Sequence, residues 1–390
     1  MFILQYPSGA PLSRLSRPEG SAAPAREAFD ASPPRRYREG METHSSSRRS
    51  QGFGPLCAAL LGLLAVSACG GGGGPSGSSG PSSPNGPADP HTSQATPGGS
   101  DEPSEEPAAE GKPPSRSSGP LTRKEAERYV VDLVNRDRKA KGLPPVRWDE
   151  TAARAGQRQT DDMARHGFTA HIGSDGSTPE KRHTDAGGSA MVMENVACFA
   201  DAIERELDPD PRFTIAELER IETTFISEVP PMDGHKRNIL TAWHTSLGVG
   251  LSKTKGLDIV CMAQEFVDDY GRYDPLPKKA KAGSKLRVSG DVRSPADVAA
   301  VGIARVEKPR PMKAEALLKT YSYAIPKPYV TYFKKGYKTP IPLDVTGNRF
   351  SIDVPLSDQG RPGIYSVSVW AKVPETKDLV MISLRTIEVD

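Results

Sequence analysis

Apolar residues recur at helical spacing through Ala126, Tyr129, Val130, Leu133 and Val134, framed by Thr122-Arg123-Lys124-Glu125 before them and Gly142 after them. A threonine followed three residues later by glutamate can satisfy two orphan N–H groups at a helix start, and glycine is a common stop, so this stretch predicts one amphipathic helix. Leu143 to Trp148 reads as extended, and Asp149 is placed to cap a second helix that reaches Arg165 and stops near Gly167. A third helix is predicted from about Phe213 to Ser227. Thr245 to Ser252 and Leu257 to Val267 read as two strands joined by Lys253 to Gly256, a hairpin pattern. Helices on both sides of a small antiparallel sheet is the economical layout for these elements.

Tyr273 to Gly283 is rich in Pro, Lys and Ala and reads as a linker, after which the helical period gives way to short alternating runs. These are Lys285 to Val288, Val298 to Val306, Phe350 to Val354, Ile364 to Ala371 and Leu379 to Val389, with turns expected over Asp358 to Gly363 and Val373 to Asp378. The pattern suggests an all-β, immunoglobulin-like sandwich whose last two strands form a hairpin. Lys327 to Lys338 interleaves Tyr329, Tyr332, Phe333 and Tyr337 with lysines. It reads as a solvated loop with an edge strand, and the sharper reading is a patch for anionic glycan or phospholipid headgroups.

The first third of the chain has a different character. Arg48-Arg49, the apolar run from Phe53 to Val66 and the small residues Ser67-Ala68 form a secretory signal in the usual order. The run is shorter than the ~20 residues a membrane-spanning helix needs. Val66-Ser67-Ala68-Cys69 resembles the bacterial lipobox, in which the cysteine becomes the lipid-bearing first mature residue. Met41 then starts a signal spanning 41–68, and 1–40 reads as an upstream leader from a misassigned start. Residues 69–120 are Gly, Pro and Ser rich, too apolar-poor to offset the entropy of ordering, and read as a disordered tether of roughly 40 Å r.m.s. span. Cys69 followed by Gly70 favours the outer membrane in a two-membraned cell.

Lys and Arg total 51 against 49 Asp and Glu, which gives a formal net charge of +2 and no global field for nucleic acid. With Cys57 removed and Cys69 modified, Cys198 and Cys261 remain in an oxidising compartment. A disulfide is the favoured reading of this pair, and two separately buried thiols is the other.

Several fragments occur together in a telling order. They are Val134-Asn135-Arg136-Asp137-Arg138 with Gly142 to Asp149, Phe168-Thr169-Ala170-His171, Glu194-Asn195-Val196-Ala197, Gly234-His235-Lys236-Arg237-Asn238, and Leu247-Gly248-Val249-Gly250. This stretch resembles the CAP superfamily (cysteine-rich secretory protein, antigen 5, pathogenesis-related 1) in its bacterial SCP-like form. The resemblance implies an α-β-α sandwich, the CAP fold, over 121–275; with the linker placed at 276–282 and the all-β immunoglobulin-like sandwich read from the strand pattern over 283–390, the chain is expected to be α+β.

The resemblance also implies a cleft lined by two histidines and two acids that holds a divalent metal, often zinc, in several relatives. Carried over, these are His171, Glu194, Glu228 and His235, with Phe225 standing where the family has tryptophan in W-x-x-E. Imidazoles and carboxylates suit zinc or another divalent cation on chemical grounds as well. His166, His183 and His244 read as surface or helix-capping histidines, and Gln159 stands where many bacterial relatives of the resemblance carry a histidine.

Neither an H-E-x-x-H helix nor a G-x-S-x-G elbow is present. Binding is therefore favoured over catalysis. The expectation is an exported lipoprotein, anchored to the bacterial envelope through Cys69, that binds a lipid or sterol-like ligand, an envelope glycan or a protein. A metal-dependent hydrolase of envelope polymers is the alternative.

Overall fold

The computed structural model describes residues 119–320 and 322–390. The signal, Cys69 and almost all of the tether lie outside the described residues.

Helix α1 (Arg123–Lys139) starts at the capping box: Thr122 Oγ1 accepts from the Glu125 N–H, and the Glu125 carboxylate accepts from the Thr122 N–H. The strand β1 (Arg147–Trp148) follows. Asp149 caps α2 (Glu150–His166) by accepting from the Ala152 N–H, and Gly167 ends it with φ of 65°. Next come α3 (Pro179–Asp185) and β2 (Met191–Ala197). A second capping box, Thr214 with Glu217, opens α4 (Ile215–Ile226), and the short α5 (Gly234–Ile239) precedes β3 (Ser246–Lys253) and β4 (Val260–Asp268). The second hairpin strand starts at Val260 rather than Leu257, because Asp258 turns the chain at φ 46° and Leu257 is exposed.

The sheet order is β1-β3-β4-β2. Both longer pairings are antiparallel, but β1 runs parallel to β3, so the sheet is mixed rather than wholly antiparallel as the sequence suggested. Leu247, Val249 and Leu251 join Val130, Val134 and Leu218 from α1 and α4 in one core. The alternate positions of β3 face α2. A Cβ on Gly248 would stand 2.1 Å from the Ala153 nitrogen, and one on Gly250 would stand 2.3 Å from the Gly156 carbonyl carbon. The helix backbone therefore rests directly on the strand, an approach open only to glycine.

The C-terminal half begins with β5 (Gly271–Tyr273), β6 (Lys279–Ala280), β7 (Lys285–Val292) and β8 (Asp297–Val306). After α6 (Ala314–Leu317) come β9 (Val330–Phe333), β10 (Asp344–Thr346), β11 (Arg349–Pro355), β12 (Gly363–Lys372) and β13 (Leu379–Val389). They form two sheets, β10-β11-β7-β5 and β6-β13-β12-β8-β9, whose buried side chains, among them Val288, Val301, Phe350 and Val367, make one core. The segment expected as a linker contributes β6, paired with β13, and its neighbour β5 pairs with β7. β9 is an edge strand carrying Tyr332 inward, while Tyr329 and Tyr337 stay exposed and Lys334 pairs with Asp297.

The two halves share an interface that the sequence did not announce. Between β8 and β9 the chain crosses onto the helical half, where Leu317 packs with Met163 and Phe168 and the Met312 N–H donates to the Ser174 carbonyl at 2.7 Å. Strand β13 does the same: Leu384 joins the helical core, and Ser383 Oγ donates to the Ser189 carbonyl at 2.5 Å.

Gly248→Ala is expected to cost about 2 kcal/mol or more in urea unfolding, since the backbone of α2 must move away from the sheet. Gly256→Ala, where φ is 79° and nothing lies within 4 Å of the added carbon, should cost only about 1 kcal/mol. Equal effects would mean that α2 is not held against the strand as described.

Candidate functional site

The segment after α2 brings His171 against β2. Its Nδ1 lies 2.9 Å from Glu194 Oε1, and Arg182 of α3 donates from Nη2 to Glu194 Oε2 at 2.6 Å. Arg182 also donates from Nη1 to the carbonyls of His171 and Ser177 at 3.0 and 2.9 Å, so one guanidinium fixes both the carboxylate and the loop that carries the imidazole. All three side chains are buried. Burial alone would raise the Glu194 pKa, but the Arg182 charge and His171 outweigh it and hold the carboxyl below its ordinary value. Directly across the strand pairing stands Glu265. Burial, and then the negative charge of Glu194, push its pKa well above the ordinary glutamate value.

The second pair forms where α4 ends and α5 begins. His235 Nδ1 lies 2.6 Å from Glu228 Oε1, and Glu228 Oε2 accepts the His235 backbone N–H at 2.9 Å. Phe225, in the place of the family's tryptophan, stacks on the imidazole with ring centroids 4.4 Å apart.

Behind this pair runs a buried polar chain. Asn195, next to Glu194 on β2, donates from Nδ2 to the His235 carbonyl at 3.2 Å and to Gln264 Oε1 at 3.0 Å. Asn238 donates to Asn195 Oδ1, and His244 lies between Asn238 Oδ1 and Asp268 Oδ1 at 2.9 and 2.6 Å. Gln264 donates to Glu222, whose pKa burial raises to about 8. From α1, the buried Arg138 donates to the carbonyls of Ile239, Thr241 and His244, which fixes the chain leaving α5.

The four predicted residues thus stand as two His–Glu pairs flanking β2. Within each pair the carboxylate is committed to Nδ1 and to a second donor. The Nε2 atoms of His171 and His235 are both buried without a hydrogen-bond partner. If Nδ1 carries the proton toward its carboxylate, Nε2 presents a lone pair. Among the described residues no group of three or more His, Cys, Asp or Glu side chains is arranged to hold a metal ion. Within each pair the glutamate orients the imidazole through Nδ1.

Cys198, just past β2, is disulfide-bonded to Cys261 of β4, with Cα atoms 4.3 Å apart. Thr169 Oγ1 donates to the Cys198 carbonyl at 2.6 Å, which ties the bridge to the segment leading to His171. Of the other histidines, His244 is a hydrogen-bonded core residue, His166 is partly exposed beside Asp162 and Glu204, and His183 is buried, its pKa lowered by burial to about 4. Gln159 donates to the Ala170 carbonyl at 2.6 Å. Arg182 and Gln264 had no periodic or spacing signal. Asn195 and Asn238 lay inside the fragments already singled out, but nothing in a sequence marks two asparagines as neighbours.

Residues 131–266 match the family described as CAP, Cysteine-rich secretory protein family. Among solved structures, an extracellular protein with an SCP domain from Bacillus anthracis is 21% identical, with 39% of this chain and 45% of that chain covered at a TM-score of 0.29. An outer surface protein of Borrelia burgdorferi is 18% identical, with 38% of this chain and 98% of that one covered at 0.30. A chitin binding domain from Burkholderia pseudomallei is 13% identical, with 29% and 57% covered at 0.20. The chain thus spans under half the length of the Bacillus protein. No curated protein matches the chain.

Two outcomes follow from these pairings. The bridge closes a loop across a sequence separation of 63, so the Cys198→Ala, Cys261→Ala double variant should lose on the order of 4 kcal/mol in denaturant unfolding. Burial pushes the Glu222 carboxyl up to about 8 in the folded protein, whereas in the unfolded chain it ionises at its ordinary value of 4.5. The folded state therefore holds a proton the unfolded state has released, and stability falls as pH rises between those values. Glu222→Gln should remove that slope and gain on the order of 2 kcal/mol at pH 8 in urea titrations at several pH values.

Proposed function

We propose that this chain is an exported, lipid-anchored CAP-domain protein that binds a small lipid-like ligand or an envelope partner at the His–Glu cleft, rather than turning over a substrate. The observation that carries this reading is the pair of buried imidazoles, each oriented through Nδ1 by a carboxylate and each with Nε2 unpartnered. Such nitrogens accept a hydrogen bond from a ligand's polar head or donate a lone pair to a divalent cation. A bound zinc or similar cation would supply a positive charge able to polarise a ligand oxygen. Arg182, Glu194 and Glu228 act on the imidazoles themselves, fixing their tautomer and direction. No serine, threonine or cysteine side chain is hydrogen-bonded to either imidazole among the described residues, which favours binding over nucleophilic chemistry.

Export rests on the ordered basic, apolar and lipobox regions of the sequence, and the Cys198–Cys261 bridge is in keeping with an oxidising compartment. Among the described residues no helix is long and apolar enough to cross a membrane. In the same reading the helical half is an α-β-α sandwich, supported by α2 on one face of the sheet and α1 with α4 on the other. The C-terminal half is an immunoglobulin-like sandwich, supported by two sheets on one core.

Calorimetric titration of zinc chloride into the full chain should show saturable binding that the His171→Ala, His235→Ala double variant abolishes while the domain remains folded. Zinc binding that persists in the double variant would remove the imidazoles from the role. Mass analysis of the mature protein should find lipidated Cys69 at its N-terminus, and an unmodified chain retaining the signal would overturn the anchor.

A further inference from the structure

A cavity of about 340 Å³ lies where the two halves meet, away from either His–Glu pair. Met191 and Met193 of β2 line it on the helical side, Trp370 of β12 and Met381 of β13 on the other, with Trp243 and Ile325 completing the apolar wall. Trp243, Ile325, Trp370 and Met381 are only partly buried, so their apolar surface faces open space rather than a filled core. The volume falls in the range of small-molecule pockets, roughly 300 to 1,000 Å³. A partner helix, about 10 Å across with its side chains, is too large for it.

The polar groups of the cavity argue for an uncharged occupant. Asp268 is committed to His244 at 2.6 Å, and the Trp370 indole N–H donates to Ser368 Oγ at 2.9 Å. Lys327 and Asp378 are both exposed and of opposite sign, so their fields offset. Thr376 Oγ1 accepts the Asp378 N–H, and what remains is apolar: two indole rings and three thioethers, with aliphatic side chains such as Ile325 and Leu379 beside them. Indoles favour offset or edge contacts with another ring, and methionine sulfur makes favourable contacts with aromatic edges while its flexible chain adapts to shape.

We propose that this junction cavity binds a small, uncharged aromatic molecule, held between the β2 methionines and the tryptophans on either side. The site is built from both halves, so it exists only while the C-terminal sheet is docked on β2. It is independent of the imidazole cleft and does not rest on the function proposed for it.

The test uses N-phenyl-1-naphthylamine, a neutral aromatic dye, titrated into the full chain. Expected are a saturable rise in dye emission at one dye per chain and quenching of tryptophan emission by energy transfer, since Trp243 and Trp370 are two of the three tryptophans. Met381→Lys should weaken binding at least tenfold, and Met381→Gln, which keeps the side chain's length and serves if the lysine variant fails to fold, at least threefold. Trp148→Phe at the far edge of the sheet and the His171→Ala, His235→Ala double variant should bind as the parent does. The anionic analogue 1-anilinonaphthalene-8-sulfonate should bind at least tenfold more weakly. Unsaturable binding, binding indifferent to both Met381 substitutions, loss of binding in the double histidine variant, or equal affinity for the sulfonated dye would overturn the proposal.

Discussion

A carboxylate buried on a strand must be neutralised or protonated, because burying an unpaired charge costs several kcal/mol. Glu194 meets that constraint on β2, and much of the helical half is arranged around its solution. Arg182 supplies the compensating charge, His171 supplies a second partner, and burial together with the Glu194 charge raises the pKa of Glu265 opposite. The short helix α3 exists at the one place from which Arg182 can reach both Glu194 and the carbonyl of His171. Ionic pairing here sets direction as much as stability, since the imidazole cannot rotate without leaving the carboxylate short of a donor.

The approach of α2 to the sheet is the steric counterpart of this electrostatic arrangement. Gly248 and Gly250 let the helix backbone rest on β3, and Gly156 lies on the helix where Glu265 comes closest. With α2 lowered onto the sheet, the loop leaving it at Gly167 delivers His171 to the level of β2. Bulkier residues would lift the helix and carry the imidazole away from Glu194. The bridge between Cys198 and Cys261 joins β2 to β4 just beyond the same carboxylate, so the loop is held from a second direction through Thr169.

How legible this was in the sequence follows from length and locality. Helices α1, α2 and α4 carry caps and several turns of apolar period, and their ends fall within two residues of expectation. Helices α3 and α5 are too short to show a period. Strand β2 is buried on both faces, so it lacks the alternation that reveals a strand. The segment between β8 and β9 was illegible for another reason: its apolar residues bury against the other half, a contact no local pattern encodes. Four cleft residues could be named because the family resemblance supplied them. The asparagine, glutamine and arginine side chains that aim them act through contacts between distant elements, and Phe225 in place of tryptophan weakened the motif around Glu228.

One strand ties these features together. Along β2 the side chains alternate: Val192, Glu194 and Val196 turn toward α2, while Met191, Met193 and Asn195 turn the other way. Glu194 thus anchors His171 on one face, and Asn195, one residue on, holds the His235 carbonyl from the other. The same alternation sends the two methionines toward β13, where the C-terminal half closes over them. A shift of one residue in the pairing of β2 with β4 would exchange the two faces, burying the methionines under α2 and turning Glu194 away from Arg182. The pairing of Glu194 with Glu265 is therefore more than an electrostatic problem to be solved. Of these two carboxyls Glu194 is the one that accepts the Arg182 hydrogen bond, and that asymmetry favours the register in which the strands meet.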